Sequence, residues 1–168
     1  MARTPDPSEA EFVRRVREPR TASTEPGRHR ARRSAMMLLY RTDLVGGDAD
    51  EAIESFESEH GFPMPQYGAT VVRGVTMRSV EIDAAISAHL TDWTLERLGA
   101  VERAVLRIAM WELETGEVPA PVAIDEAVEL SKRYATPDAA KLVNGVLSGW
   151  LRDYDAAGSK AIDSDEEE

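Results

Sequence analysis

Residues 92–113 read DWTLERLGAVERAVLRIAMWEL, and this stretch decides the fold class. Val101 and Val105 are four residues apart and share one side of a helix, while Leu106 and Met110 share another. Only a narrow stripe of the helix surface is left for polar side chains. A helix that is apolar on most of its circumference is expected at the centre of a fold. The stretch therefore predicts a buried, central helix.

Helical spacing of apolar residues also precedes this stretch. A first helix begins near residue 28 and is predicted to stop at Gly46-Gly47. Asp48 or Asp50 then caps a short second helix, and one long third helix is predicted to run from about Val72 to Leu90. These three helices predict one small bundle.

Two further helices are predicted after the central one. The first carries acids early and Lys132 and Arg133 late, the charge order that suits a helix dipole. Thr136-Pro137-Asp138 supplies an N-cap, a first-turn proline and a first-turn acid for the last helix. No stretch alternates as a half-buried strand would. We predict an all-α fold of two three-helix bundles.

Composition bounds the domain organisation. Residues 1–27 hold four prolines and predict a flexible extension, with a short helix after Ser8 as a local exception. The folded domain is expected over residues 28–155, followed by a disordered acidic tail over residues 156–168. The 168 residues include no Cys and no apolar run of membrane-spanning length, so we expect a cytoplasmic protein without membrane contact.

Charge is distributed unevenly along the chain. The net charge is −11, yet residues 1–41 carry ten Arg against five acids, which is +5 and leaves −16 for residues 42–168. Such asymmetry determines where anions and cations concentrate around a protein. We therefore expect two different partners on two surfaces.

The basic residues crowd into the segment GRHRARRSAMMLLY, residues 27–40. Arg28, Arg30, Arg32 and Arg33 lie where the start of a helix is already partially positive, so they oppose folding. An external anion explains their presence better, since Arg binds phosphate through paired hydrogen bonds. Tyr40 offers a ring for an unpaired base. The alternatives are a solvated basic arm and a half-buried core tyrosine.

Two other positions conflict with helix stability. Arg103 and Arg107 form a like-charge pair at four-residue spacing, which predicts an anion nearby, although a solvated stripe is equally consistent with the pattern. Gly145 inside a helix favours close approach of a neighbouring helix over a functional role.

Signals for enzymatic chemistry are weak. Glu57 and His60 have the spacing of di-iron ligands, but a single copy does not make such a site. His89 is expected to be a packed or snorkelling core residue and not a ligand, and no phosphate-binding glycine loop or nucleophile motif occurs. We expect no catalysis, no metal and no cofactor.

Several runs of this sequence resemble the bacterial NusB family, namely RHRARRSAMMLLY, WTLERL, VERAVLRIAMWEL and VPAPVAIDEAVELSKRYATPDAAKLVNGVL. The resemblance covers residues 28–151. It implies an all-α protein of two three-helix bundles that binds boxA, a short single-stranded leader RNA. It also implies a heterodimer with the small-subunit ribosomal protein NusE, which joins the RNA polymerase antitermination complex and suppresses termination in ribosomal RNA operons.

The resemblance also implies which residues contact RNA. His29 stands where relatives commonly have Arg or Lys, and Arg33 where some have an acid. Leu142 replaces a frequent Phe, which removes a base-stacking ring. The implied RNA-binding residues are Arg28, His29, Arg30, Arg32, Arg33, Tyr40, Arg107, Asp138, Lys141 and Asn144.

The acidic second half predicts the contact with the basic partner protein, because opposite charge steers association. Glu102, Glu112 and Glu114 are the candidate residues, although charge runs are often solvated faces. Three alternatives remain. They are a homo-oligomeric interaction module such as a homodimer, a detached domain related to RNA cytosine methyltransferases, and a DNA-binding helix-turn-helix protein.

Overall fold

A computed structural model describes the chain from residue 27 to residue 165, and this part contains helices and no strand. The predicted all-α class is confirmed. The short helix predicted after Ser8 lies outside the described residues. A 3-10 turn, Leu95–Arg97, precedes α5. The helices are α1 Gly27–Val45, α2 Ala49–His60, α3 Gln66–Met77, α4 Ser79–Ser87, α5 Ala100–Thr115, α6 Ala120–Tyr134 and α7 Pro137–Asp165.

The predicted helix ends are confirmed by their hydrogen bonds and backbone angles. The side chain of Asp48 accepts a hydrogen bond from the backbone N–H of Asp50 at 2.7 Å and caps α2. Thr136 does the same for α7, since its Oγ1 accepts from the N–H of Ala139 at 3.0 Å. Gly46 follows α1 with a φ of 74°, a conformation that favours glycine.

The single long helix predicted from Val72 to Leu90 is wrong, because Arg78 interrupts it with a φ of −111° and a ψ of 24°. The interruption is short, and the N–H of Ile82 still bonds to the carbonyl of Arg78 at 2.9 Å. Ile82 and Ile86 are fully buried, so the apolar spacing continues across the break. Periodicity alone therefore could not show that α3 and α4 are separate helices.

Helix packing places α5 at the centre, as predicted. It contacts α1 and α3 from the first half, and α4, α6 and α7 from the second. Leu106 and Met110 of α5 are completely buried. The first bundle is formed by α1, α2 and α3, whereas α4 packs mainly on α5 and α7. The second half therefore contains α4 in addition to the three helices expected there.

The two halves approach closely where Gly74 of α3 faces Trp111 of α5. A Cβ atom added at Gly74 would lie 2.2 Å from the indole nitrogen of Trp111, which is closer than real contacts allow. Gly145, by contrast, is exposed and has nothing within 4 Å of an added Cβ. The close approach expected at Gly145 therefore does not occur there.

The last helix is longer than the sequence suggested. It continues to Asp165, past residue 155, where we expected the folded domain to end. Among residues 27–165, no helix has the length and apolar character needed to span a bilayer.

Candidate nucleic-acid interface

The cations at the start of α1 divide between an outer and an inner side. His29, Arg32 and Met36 follow one another at three- and four-residue steps, and all three are buried. Arg30 is exposed and Arg33 is half-exposed, and neither forms an ion pair with another described residue. The helical period therefore places neighbouring cations of one motif in opposite environments.

Arg32 is 3 % exposed and meets its counter-ions inside the protein. Its Nε donates a hydrogen bond to Oε1 of Glu112 at 2.7 Å, and its Nη1 lies 3.7 Å from Oε2 of Glu126. His29 also pairs with Glu126 through Nδ1. Acids of this chain therefore pair with both residues, and the argument for an external anion does not extend to them. Nη2 of Arg32 and Oε2 of Glu112 are nevertheless buried without a hydrogen-bond partner among the described residues.

Tyr67 of α3 completes this inner cluster. Its hydroxyl donates to Oε1 of Glu112 at 2.5 Å. Burial, followed by the hydrogen bond to Glu112, raises the pKa of the Tyr67 hydroxyl well above its usual range, so it remains a donor. The guanidinium of Arg28 lies 4.5 Å from the centre of the Tyr67 ring, and its Nη2 is 3.6 Å from Oε1 of Glu117.

A second group of arginines lies on α5. Arg107 donates two hydrogen bonds to Asp83 of α4, at 2.8 and 3.0 Å, and a third to Asp43 of α1 at 2.9 Å. Arg103 donates to Asp43 at 2.6 and 2.8 Å, and also to the carbonyl of Leu98. The stripe expected to face solvent or a partner is occupied by acids of this same chain.

The electrostatics of this second group agree with its geometry. Burial raises the pKa of Asp43, but hydrogen bonds from Arg107 and Arg103 outweigh burial and bring this pKa below its usual value. Burial likewise lowers the pKa of Arg107, and its hydrogen bonds to Asp83 and Asp43 raise it overall. Asp43 and Arg107 are therefore held in their charged forms.

The three acids expected to face a partner protein differ in exposure. Glu112 is completely buried as the counter-ion of Arg32, which corrects the expectation that it contacts a partner. Glu102 is half-buried. Glu114 is also half-buried, and its Oε2 lies 3.1 Å from Nη2 of Arg78. Burial, opposed by Arg78 and assisted by Glu81, raises the pKa of Glu114.

The expected residues of α7 lie at the surface. Asp138, Lys141 and Asn144 are exposed. Asp138 lines a shallow cleft of about 310 Å³ together with Leu142, Glu102, Trp93 and Arg97.

Sequence reasoning missed the aromatic wall of this cleft. Trp93 is 49 % exposed, and the guanidinium of Arg97 lies 5.5 Å from its ring centre. Both residues belong to the WTLERL run, in which a Trp four residues before an Arg was the available signal. Tyr40, which we did single out, is half-buried and packs against the hydrophobic core, so its position fits the alternative of a core residue.

The histidines are engaged in local hydrogen bonds. His60 contacts the carbonyl of Phe56, and His89 joins the carbonyl of Ala85 to the carboxylate of Asp153. His89 is half-buried at the end of α4 and does not lie in the core. No group of three or more His, Cys, Asp or Glu side chains suited to a metal ion occurs among the described residues.

The fold and the basic first helix define an all-α protein built from two packed helical bundles. A family model described as the NusB family matches residues 29–152, and this chain belongs to the NusB family. The match begins in the first turn of α1 and ends within α7, so it extends across all seven described helices.

Solved structures support the assignment. A chain in the crystal structure of a plectonemic RNA supercoil is 34 % identical, with 77 % of this chain and 97 % of that chain covered and a TM-score of 0.70. A chain in the crystal structure of antitermination factors NusB and NusE in complex with double-stranded RNA is 34 % identical, covering 76 % and 98 %, with a TM-score of 0.67. NusB of T. maritima is 32 % identical, covering 77 % and 93 %, with a TM-score of 0.66.

Proposed function

We propose that this protein is an RNA-binding transcription antitermination factor. The observation that carries the proposal is the outward placement of Arg30 and Arg33, two cations without an ion pair among the described residues, at the start of α1. A positive helix end with added positive charge is stabilised by a bound polyanion. The similarity to a NusB chain crystallised with NusE and RNA supports the same assignment.

The RNA contacts proposed here are fewer than those implied by the sequence motif. Arg30 and Arg33 contact phosphates, and Arg28 joins them by exchanging its exposed contact with Glu117 for RNA. Lys141 and Asn144 supply exposed contacts from α7. His29 and Arg32 are held by internal acids and contribute indirectly, whereas Arg107, which pairs with Asp83, has a structural role.

The proposed ligand is single-stranded boxA-type leader RNA of ribosomal RNA operons. Proteins read single-stranded RNA by stacking unpaired bases on aromatic or guanidinium planes. Trp93 with Arg97 offers such a plane beside Asp138, and this pair takes the stacking role that Leu142 lacks. Tyr40 packs against the hydrophobic core and is not proposed to stack on a base.

The proposed protein partner is NusE, with which this chain enters the RNA polymerase antitermination complex. The net charge of −16 over residues 42–168 favours a basic partner and accelerates encounter with it. Glu102 and Glu114 are the proposed contact residues among the three predicted from sequence.

Titration of the full chain with RNA tests the proposal. Labelled boxA RNA, a scrambled RNA, duplex RNA and duplex DNA are compared at several salt concentrations, with and without NusE. We expect the tightest binding to boxA RNA, with a log-log salt slope of roughly −2 to −3.5 for about three to five phosphate contacts. NusE is expected to tighten RNA binding, and RNA to tighten NusE binding by the same factor.

Other outcomes of the titration, and of size-exclusion chromatography with and without RNA, would contradict the proposal. A flat salt dependence would reject the basic start of α1 as the binding surface. Equal affinity for duplex DNA and boxA RNA would favour a DNA-binding protein. A mass near twice that of the chain in size-exclusion chromatography, which RNA does not alter, would favour a homodimeric interaction module.

A further inference from the structure

The inner cluster at the start of α1 connects four helices from both halves of the protein. Arg32 comes from α1, Tyr67 from α3, Glu112 from α5 and Glu126 from α6, and Glu112 accepts from Arg32 and Tyr67 at one oxygen. This convergence fixes the first turns of α1 at the junction of the two bundles.

We propose that Arg32 and Glu112 are a positioning pair for RNA recognition, and that Arg32 does not itself contact phosphate; this inference rests on the proposed RNA-binding function. The side chain of Arg32 is 4 % exposed and that of Glu112 is 1 % exposed. A phosphate cannot reach this guanidinium unless it leaves Glu112. Departure would strand a buried carboxylate without its counter-ion, which is strongly unfavourable.

The pair assigns a different task to each arginine of the motif. Because Arg32 is held inward, the helical period turns Arg30 and Arg33 away from the interior. Side chains carried by an immobilised helix lose less conformational freedom on binding, and affinity rises accordingly. Arg32 therefore strengthens RNA binding through the orientation of its neighbours.

Removal of the charge of Glu112 distinguishes a positioning role from simple electrostatics, because the two predict opposite changes in RNA affinity. Glu112 is negative and lies beneath a surface proposed to bind a polyanion, so its repulsion alone opposes RNA binding. Removal of that charge would then raise RNA affinity. If Glu112 positions α1 through Arg32, removal of the same charge lowers RNA affinity instead.

The first experiment compares Glu112→Gln with Glu117→Gln in the full chain, using boxA RNA. Glu117 is the exposed neighbour of Arg28 and serves as the matched control. We expect Glu112→Gln to weaken RNA binding by about five- to tenfold and Glu117→Gln to leave it equal or slightly stronger. Amide hydrogen exchange over the first turns of α1 is expected to accelerate only in Glu112→Gln. Tighter RNA binding by Glu112→Gln would overturn the inference.

The second experiment removes both charges of the pair together. Replacement of a buried ion pair by apolar residues often preserves stability, so Arg32→Met/Glu112→Met is expected to fold with α1 still packed. We expect an unchanged salt slope, because this variant loses no phosphate contact. The control Arg30→Met/Glu54→Met, which also conserves net charge, is expected to lose affinity and about 0.7 of the salt slope.

The outcomes distinguish this inference from the function on which it rests. A folded Arg32→Met/Glu112→Met variant that loses RNA affinity and salt slope as the control does would make Arg32 a phosphate contact and overturn the inference alone. Loss of cooperative folding in both Glu112→Gln and the double variant would show a merely structural pair, which also overturns the inference. A parent protein that binds none of the RNAs would overturn the proposed function as well.

Discussion

The two arginine groups of this protein look alike in sequence and differ in structure. At the start of α1 and on α5, cations stand where a helix alone disfavours them. The first group suggested an external anion, and the second suggested an anion nearby. Arg103 and Arg107 are instead neutralised by Asp43 and Asp83. At the start of α1, internal acids pair with His29 and Arg32, whereas Arg30 faces solvent. Unfavourable local charge therefore indicates that an anion is near, but not whether it belongs to another molecule.

The acids that pair with both arginine groups are distant from them in sequence. Arg32 and Glu112 are 80 residues apart, and Arg103 and Asp43 are 60 residues apart. Helical spacing relates residues within one helix and contains no information about which acids lie across a helix interface. Pairings of this kind are set by the packing of α1, α4 and α5.

The largest expected effect is the loss of the buried cation. Arg32→Met leaves Glu112 buried without its counter-ion, and we expect the free energy of unfolding to fall by about 3 to 5 kcal/mol. Urea denaturation followed by circular dichroism measures the change. Arg30→Met is the control, with an expected change of less than about 0.5 kcal/mol. Equal losses in the free energy of unfolding for the two substitutions would contradict the distinction between inner and outer cations.

The group on α5 should behave as a structural one. Arg107→Met removes three hydrogen bonds to Asp83 and Asp43, and we expect a loss of about 2 kcal/mol in the free energy of unfolding, with RNA affinity unchanged. The exposed pair Arg73 and Asp50 provides the control, since Arg73→Met is expected to cost no more than about 1 kcal/mol. A drop in RNA affinity for folded Arg107→Met would return Arg107 to the RNA-binding surface.

The outer cations should show the reverse pattern. Arg30→Ala/Arg33→Ala is expected to weaken boxA RNA binding by about tenfold and to reduce the salt slope by about 1.4, because two phosphate contacts are lost. The melting temperature is expected to stay the same or rise, since positive charge is removed from a positive helix end. Fluorescence anisotropy over a salt series and a thermal melt measure the two quantities. Unfolding of this variant would contradict its assignment to the outer side.

The smallest expected effect is on the stability of the protein at acidic pH. The pKa of Asp43 is lower in the folded protein than in the unfolded chain, so its contribution to stability is complete above the unfolded pKa of about 4 and is lost as pH falls towards the folded value. We expect Asp43→Asn to be less stable than the parent at pH 6 and to lose less stability between pH 5 and pH 3. Parallel stability curves for both proteins over this range would contradict the ion pairing.

The fold could be predicted largely from local signals. Apolar spacing located the central helix, while Asp48 and Thr136 located two helix starts, because caps act within a few residues. The break at Arg78 escaped prediction, since Ile82 and Ile86 preserve the buried stripe beyond it. The sequence located the candidate site only as the segment of residues 27–40. Which of its arginines are exposed depends on acids of other helices, and the sequence does not show these contacts.

The contact between Gly74 and Trp111 has a mechanical consequence for the surface at the start of α1. Gly74 shares α3 with Tyr67, and Trp111 precedes Glu112 on α5. The contact between Gly74 and Trp111 therefore sets the distance between α3 and α5 at which Tyr67 donates its hydrogen bond to Glu112. A single methyl group at position 74 would wedge these helices apart, at a cost of about 1 to 3 kcal/mol. We therefore expect the spacing between α3 and α5 to affect the position of Glu112, and through Arg32 the start of α1, without any change of charge.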